Sequence, residues 1–210
     1  MSDSKTCHSL HIFLLISLLP IFVWSLIEPY DLFTWVLEAL PVIIGLAILI
    51  PLYNRFRLTT LTYLLIWLHA IILLIGAHYT YARMPLFNWI QDAFELSRNH
   101  YDRLGHFMQG FVPAIIAREV LLRTSPLRKG KWLFFIVVCI CLAISAAYEL
   151  FEALVAVTCA DGAVDFLAIQ GDIWDTQNDM AFCLAGAVLS LLLLGRVHDS
   201  LLLRQTRKDF

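Results

Sequence analysis

Charge is what this sequence has little of. Asp, Glu, Lys and Arg make up 15% of its 210 residues, against about 25% in soluble globular domains. Such a chain has too little polar surface to cover itself in water. Several local chemical signatures are absent as well: there is no GxSxG, HExxH, P-loop or CxxC. A familiar nucleophile elbow, a zincin helix and a phosphate-cradling loop are therefore excluded. Cysteine is scarce, at 5 residues. Cys139, Cys141 and Cys183 lie in apolar runs and read as small buried hydrophobes, while Cys7 precedes the first run and Cys159 follows the fifth. This pattern argues against a disulfide framework or a zinc-finger-type site. No repeat, low-complexity stretch or linker interrupts the chain, so 1–210 reads as a single multi-pass transmembrane domain.

Hydrophobic residues, by contrast, reach 60%, and the mean hydropathy is +0.76. Lipid is the natural solvent for such a chain. A helix needs about 20 apolar residues to cross the hydrocarbon core. Five runs meet or nearly meet that length, at about 10–27, 33–52, 58–79, 132–157 and 177–195. A sixth, at about 104–123, is less uniform and carries His106, Gln109, Arg118 and Glu119. The first run is followed by Glu28, Pro29 and Tyr30 rather than by a small-x-small cleavage site, so it is expected to remain as a helix.

The basic residues set the expected topology. Six helices with the N-terminus in the cytoplasm place Lys5, Arg55, Arg57, Arg118, Arg123, Arg128, Lys129, Lys131, Arg196, Arg204, Arg207 and Lys208 inside. Only Arg83, Arg98 and Arg103 fall outside. Without the 104–123 helix, the basic blocks that follow would face the wrong way. The expected fold class is an all-α membrane protein, a bundle of six transmembrane helices with both termini cytoplasmic. Arg118 is read as snorkelling to the cytoplasm, and Glu38 as an interfacial residue. These cytoplasmic basic residues are thereby explained without nucleic acid. Residues 80–103 suit a short amphipathic helix on the interface, and 158–176 form an acidic outer segment with Asp161, Asp165, Asp172 and Asp175.

Polar side chains inside a membrane are costly and mark function. Asp102 and His106 are four apart, and Gln109 continues their stripe. Glu149 and Glu152 share a face near the outer end of the fifth helix. Asp172, Asp175 and Asp179 are spaced by three and four at the start of the sixth. Asp172 and Asp175 equally suit capping of that helix, and Asp102 capping of the fourth. Glu149 and Glu152 sit at a C-terminal end, where carboxylates do not cap. His69 has no acidic neighbour in its own helix and reads as structural. Six carboxylates at one level, with Arg103, His106 and His78 as nearby cations, call for protons or a bound cation. A divalent metal of unspecified identity suits the donor set Asp102, His106, Glu149, Asp175 and Asp179, with Glu152 or Asp172 as general acid or base.

Three segments together carry a resemblance: 101–110 (YDRLGHFMQG), the Glu149-x-x-Glu152 pair, and 171–180 (GDIWDTQNDM). As a set they resemble the bacterial inner-membrane YjdF family. The resemblance covers most of the chain and implies a multi-pass inner-membrane protein, without an assigned activity. A looser similarity is to VanZ-like membrane proteins, whose motifs run Asp-Lys-x-x-His, Glu-x-x-Gln and a later Asp and Asn. Here Arg103 replaces the Lys and Glu152 the Gln, with Asp175 or Asp179 at the last motif. That similarity suggests an envelope-related role.

Three functions follow from these residues. The first is metal-dependent chemistry at the outer face on a lipid or envelope precursor. The second is proton- or cation-coupled transport, against which the lack of an inverted repeat speaks. The third is a non-catalytic membrane factor that binds a partner or lipid. The topology is checked by reporter fusions, with both termini expected in the cytoplasm; an outward C-terminus would overturn the six-helix arrangement.

Overall fold

The computed structural model describes residues 2–159 and 164–206, with side chains at 7–159 and 166–205. Asp161 and the side chains of Lys5, Asp165, Arg207 and Lys208 lie outside the described residues. The described chain is all α. Its long helices are α1 (Ser2–Leu26), α2 (Leu32–Leu52), α3 (Thr60–Tyr79), α5 (Tyr101–Thr124), α6 (Lys131–Thr158) and α8 (Asp175–Thr206). Two short ones, α4 (Pro85–Ala93) and α7 (Val164–Leu167), lie between them. Among the described residues, α1, α2, α3, α6 and α8 are long and apolar enough to cross a membrane.

Helix α5, at 24 residues, falls within the length range of those five but is more polar, and its position explains why. It packs against α3, α6 and α8, so neighbouring helices cover it on several sides. Asp102, Gly105, His106, Val112, Ile115, Arg118 and Glu119 are all buried along it. A central helix meets protein rather than lipid, and its polar residues find partners there. Asp102 does not cap this helix: it lies inside the first turn, and Asn99 Oδ1 accepts from the Tyr101 amide instead, at 3.0 Å. Local signals set other ends. Asp31 accepts from the Thr34 amide at 2.6 Å and begins α2, and Pro85 opens α4. Leu86 and Trp89 of α4 are exposed.

Helix α8 runs 32 residues, about 48 Å at the standard rise of 1.5 Å per residue. That exceeds a hydrocarbon core of about 30 Å. Hydropathy places its end near 195 because Arg196, His198 and Asp199 interrupt the apolar run. Tertiary contacts keep it helical beyond that point. Arg118 of α5 donates to Asp199 Oδ1 at 2.5 Å and lies 3.0 Å from His198 Nδ1. Glu119, fully buried, accepts from the Thr59 amide at 2.8 Å, from Thr62 at 2.7 Å and from Arg123 at 2.9 Å, and lies 3.1 Å from His198 Nε2. Arg118 therefore does not snorkel; it is buried in an ion-paired network that ties α5 to α8. Glu38 also departs from expectation. It is 2% exposed on the inner side of α2, not interfacial.

Between the two ends, α5 and α8 meet backbone to backbone. A Cβ on Gly110 would run into the carbonyl of Cys183, and one on Gly186 into the carbonyl of Phe107. Ala114, Cys141, Val137, Cys183 and Ala187 fill the adjoining core. Small residues supply such approaches in membranes, where helix association depends on packing rather than on release of water. Gly186→Ala is expected to cost about 1–3 kcal/mol by overpacking, read as a lower melting temperature in detergent. Gly45→Ala, with no atom within 4 Å of the new Cβ, should leave it nearly unchanged.

Candidate functional site

The close approach of α5 and α8 has its main consequence at the end of the bundle opposite the termini. Asp102 and His106 project from α5, Glu149 and Glu152 from α6, and Asp179 from α8. Asp102, His106 and Asp179 each offer one ligating atom, and these atoms all lie within 4.8 Å of one another. His106 Nε2 is 3.5 Å from Asp102 Oδ1 and 4.0 Å from Asp179 Oδ2. On the other side of the ring, Nδ1 is 3.7 Å from Glu149 Oε1 and 3.2 Å from Gln109 Oε1. In the tautomer with its proton on Nδ1, Gln109 accepts that proton and the Nε2 lone pair faces the two aspartates. Tyr148 packs edge-on against the imidazole, with centroids 6.1 Å apart.

Asp102, His106, Glu149 and Asp179 are all buried. Glu149 Oε1 and Asp179 Oδ1 are buried with no hydrogen-bond partner among the described residues. An unsatisfied buried polar atom costs about 1–3 kcal/mol, more when charged. The two carboxylates belong to different helices and flank the imidazole, Glu149 on the Nδ1 side and Asp179, through Oδ2, on the Nε2 side. Glu152 is half-buried and within electrostatic reach of Asp102, Glu149, His106 and Asp179.

A family described as "Predicted membrane protein (DUF2238)" matches residues 10–200. The chain belongs to this family. It is also 48% identical over 178 residues to the "Inner membrane protein YjdF" of Escherichia coli (strain K12), covering 85% of each chain. No solved structure matches it. The resemblance drawn from 101–110, Glu149-x-x-Glu152 and 171–180 is thus sound, and this DUF2238 chain is a multi-pass protein of the inner membrane.

Not every residue singled out from the sequence joins the cluster of this DUF2238 protein. Asp175 is ion-paired with Arg98 and stands outside the three-residue group. Asp172 precedes α8 and sits at the rim. It accepts from the Trp174 amide at 2.9 Å, Asn178 at 3.0 Å and Arg103 at 2.8 Å. The Trp174 amide first, then Asn178 and the two arginines, hold its carboxyl below the ordinary aspartate value of 3.8. This anchor therefore contributes at every pH above that value and is lost only as pH falls through the lower folded one. His78 is no site cation; it packs on Trp24 and Tyr79, with ring centroids 4.3 Å and 4.6 Å away.

Two residues were missed. Arg98, 3% exposed, is the cation that organises the rim. Its guanidinium bonds Asp175, reaches Asp102 and Asp172 at 3.5 Å each, and donates to the Ala168 carbonyl at 3.0 Å. Burial opposes its charge, but the hydrogen bond and charge of Asp175 outweigh that and hold its pKa above the ordinary guanidinium value. The signal was present: Arg98 lies four residues before Asp102, as His106 lies four after. The second is Glu38, which the fold brings within electrostatic reach of Tyr81, Tyr101 and Tyr148 behind the site. Nothing in its own run marked it.

Arg98 also holds a strap. Ala168 and Gln170 adopt left-handed backbone, at φ 46° and 50°, a conformation that costs a non-glycine residue roughly 1–2 kcal/mol. Gln170 is clasped to the Asn99 backbone by two hydrogen bonds, of 2.9 and 3.0 Å. Removing one partner of a buried ion pair costs about 3–5 kcal/mol, so Arg98→Gln should sharply lower the melting temperature at neutral pH. Arg103→Gln, at the rim, should lower it far less in the same scan.

Proposed function

We propose that this protein binds a divalent cation at the outer membrane face and uses it for chemistry on a lipid or envelope precursor. The observation that carries the reading is the buried Asp102, His106 and Asp179 triad, whose ligating atoms lie within 4.8 Å of one another. The unsatisfied oxygens of Glu149 and Asp179 support it. In this reading Asp102, His106 and Asp179 are ligands, and Glu149, on the Nδ1 side of the imidazole, joins them only if its side chain swings across. Asp175 joins only if its pair with Arg98 opens. Carboxylates and one imidazole are ligand types that hold Zn, Mn or Mg, and they do not choose among them. The cation would polarise a phosphoryl or ester oxygen and acidify a bound water. In this reading Glu152, within electrostatic reach of the cluster, would take the proton of that water, and the leaving oxygen would depart as the water oxygen bonds to the phosphorus or carbonyl carbon. Asp172 holds Arg103 and is a weaker candidate for proton transfer.

The topology belongs to the same reading. Helix α5 is the sixth span, and twelve of the fifteen Lys and Arg residues then face the cytoplasm. This puts the acidic site at the outer face.

Partnerless buried carboxylate oxygens also suit protonated side chains, and this observation favours proton-coupled transport as the second reading. The glycine seam weighs against it. Below the site, α5 and α8 touch backbone to backbone, and the adjoining core is apolar. A path along this seam would require the two helices to separate.

Elemental mass spectrometry of the purified protein tests the proposal. A stoichiometric divalent metal is expected in the wild type and should be lost in His106→Ala and Asp179→Asn. A wild-type protein that retains none after purification with added metals would sink the metal reading and turn attention to carboxylates that carry protons.

A further inference from the structure

A second site lies at the opposite end of the bundle, where the termini meet the loop after α2. Helices α1 and α2 both pack along α3. They close on each other around Leu18, Trp35 and Val42, and Trp35 donates to Ser25 at 3.2 Å. Toward the N-terminus of α1 they part, leaving a cavity of about 220 Å³. Leu14 and Leu18 form one wall, Leu46 and Leu49 the other, and Ile66 and Trp67 the floor. The cavity opens to the bilayer, because Leu15 and Ile50 on its lips are exposed.

Its dimensions and polarity match one kind of molecule. The groove follows α1 from His8 to Leu18, about 15 Å at the helical rise. That is half of a hydrocarbon core of about 30 Å, the depth of a single leaflet. The walls are apolar and the mouth is polar. Tyr53 hydroxyl lies 3.0 Å from His8 Nδ1 and 2.9 Å from His11 Nδ1, and His11 Nε2 lies 3.0 Å from Thr60. The Arg57 guanidinium stands 4.8 Å over the Tyr53 ring, and its Nε is buried with no hydrogen-bond partner.

Among the described side chains, the charge at this mouth has one sign. No Asp or Glu occurs at 4–27 or 39–91, the stretches that hold nearly all of α1, most of α2 and the whole of α3. Among the described carboxylates, Glu119 acts on Tyr63 but is already held by Thr59, Thr62, Arg123 and His198. No described carboxylate is ion-paired with Arg57, which thus offers a cation beside a leaflet-deep apolar groove.

We propose that this groove binds one anionic phospholipid, its acyl chain along the α1–α2 walls and its phosphate at Arg57 and His8. The site is separate from the acidic cluster and does not depend on a metal there. With the termini in the cytoplasm, the lipid belongs to the inner leaflet.

Native mass spectrometry of the full-length protein, titrated with phosphatidylglycerol or phosphatidylethanolamine, tests this. One retained phosphatidylglycerol per chain is expected, favoured about fivefold over phosphatidylethanolamine, the gain of one basic residue near an anionic headgroup. Arg57→Gln should abolish the preference, and His8→Gln, at an exposed position, should reduce it. Leu15→Trp fills the groove and should lower occupancy by both lipids. Equal wild-type occupancy by the two lipids would overturn the proposal, as would a preference indifferent to Arg57→Gln and His8→Gln. A lipid-free dimer disrupted by Leu15→Trp would assign the groove to a second copy of the chain and overturn it too.

Discussion

Helices α5 and α8 reach backbone contact only because Gly110 and Gly186 carry no side chain, and the polar architecture depends on that approach. The seam lies near the middle of both helices. Toward one end it brings Asp102 and His106 against Asp179. Toward the other it brings Arg118 and Glu119 against His198 and Asp199. Neither cluster would be stable facing lipid, where an unpaired charge has no water to turn to. The two differ in how well their members are matched. The terminal-end network satisfies Glu119 with hydroxyls, an amide, an imidazole and a guanidinium, and so reads as structure. The opposite cluster leaves carboxylate oxygens of Glu149 and Asp179 without donors among the described residues.

Arg98 sets the boundary of the second cluster. It neutralises the aspartates nearest the rim and leaves those deeper in the bundle to be satisfied otherwise. The same guanidinium anchors the strap at Ala168. Arg98 thus links Asp102 of the cluster to the strap through one guanidinium. The chain is a member of the DUF2238 family, 48% identical to the YjdF protein of Escherichia coli. Its relatives can be judged on whether the unsatisfied carboxylates and the arginine occur together.

Where the helices lie was largely legible in the sequence, because apolar length is a direct demand of the bilayer. The starts of α2, α3 and α6 fall within two residues of the expected positions. Helix α1 begins eight residues before its apolar run, while the departures of α5 and of the far end of α8 share a cause. Helices α5 and α8 carry polar residues that hydropathy reads as interruption, while ion pairs between these helices make them tolerable. The same-face spacing of Asp102 with His106 and of Asp175 with Asp179 was legible too, since helical periodicity fixes which side chains share a face.

What each polar residue meets was decided only by tertiary structure. Periodicity places Asp175 and Asp179 side by side, yet Arg98 claims the first and the imidazole of His106 faces the second. Glu38 lies in an apolar run with no acidic neighbour in its helix, and only the packing of α2 brings it toward the tyrosines behind the site. Arg118 carries the charge of a topology signal, and only the long reach of α8 turns it into a buried partner of Asp199. The sequence by itself determined a membrane bundle and the acidic faces of its helices, because both follow from local composition and period. Which carboxylates are neutralised and which are left unsatisfied depends on contacts between residues as far apart as Arg98 and Asp175 or Asp102 and Asp179, and no local pattern encodes those distances.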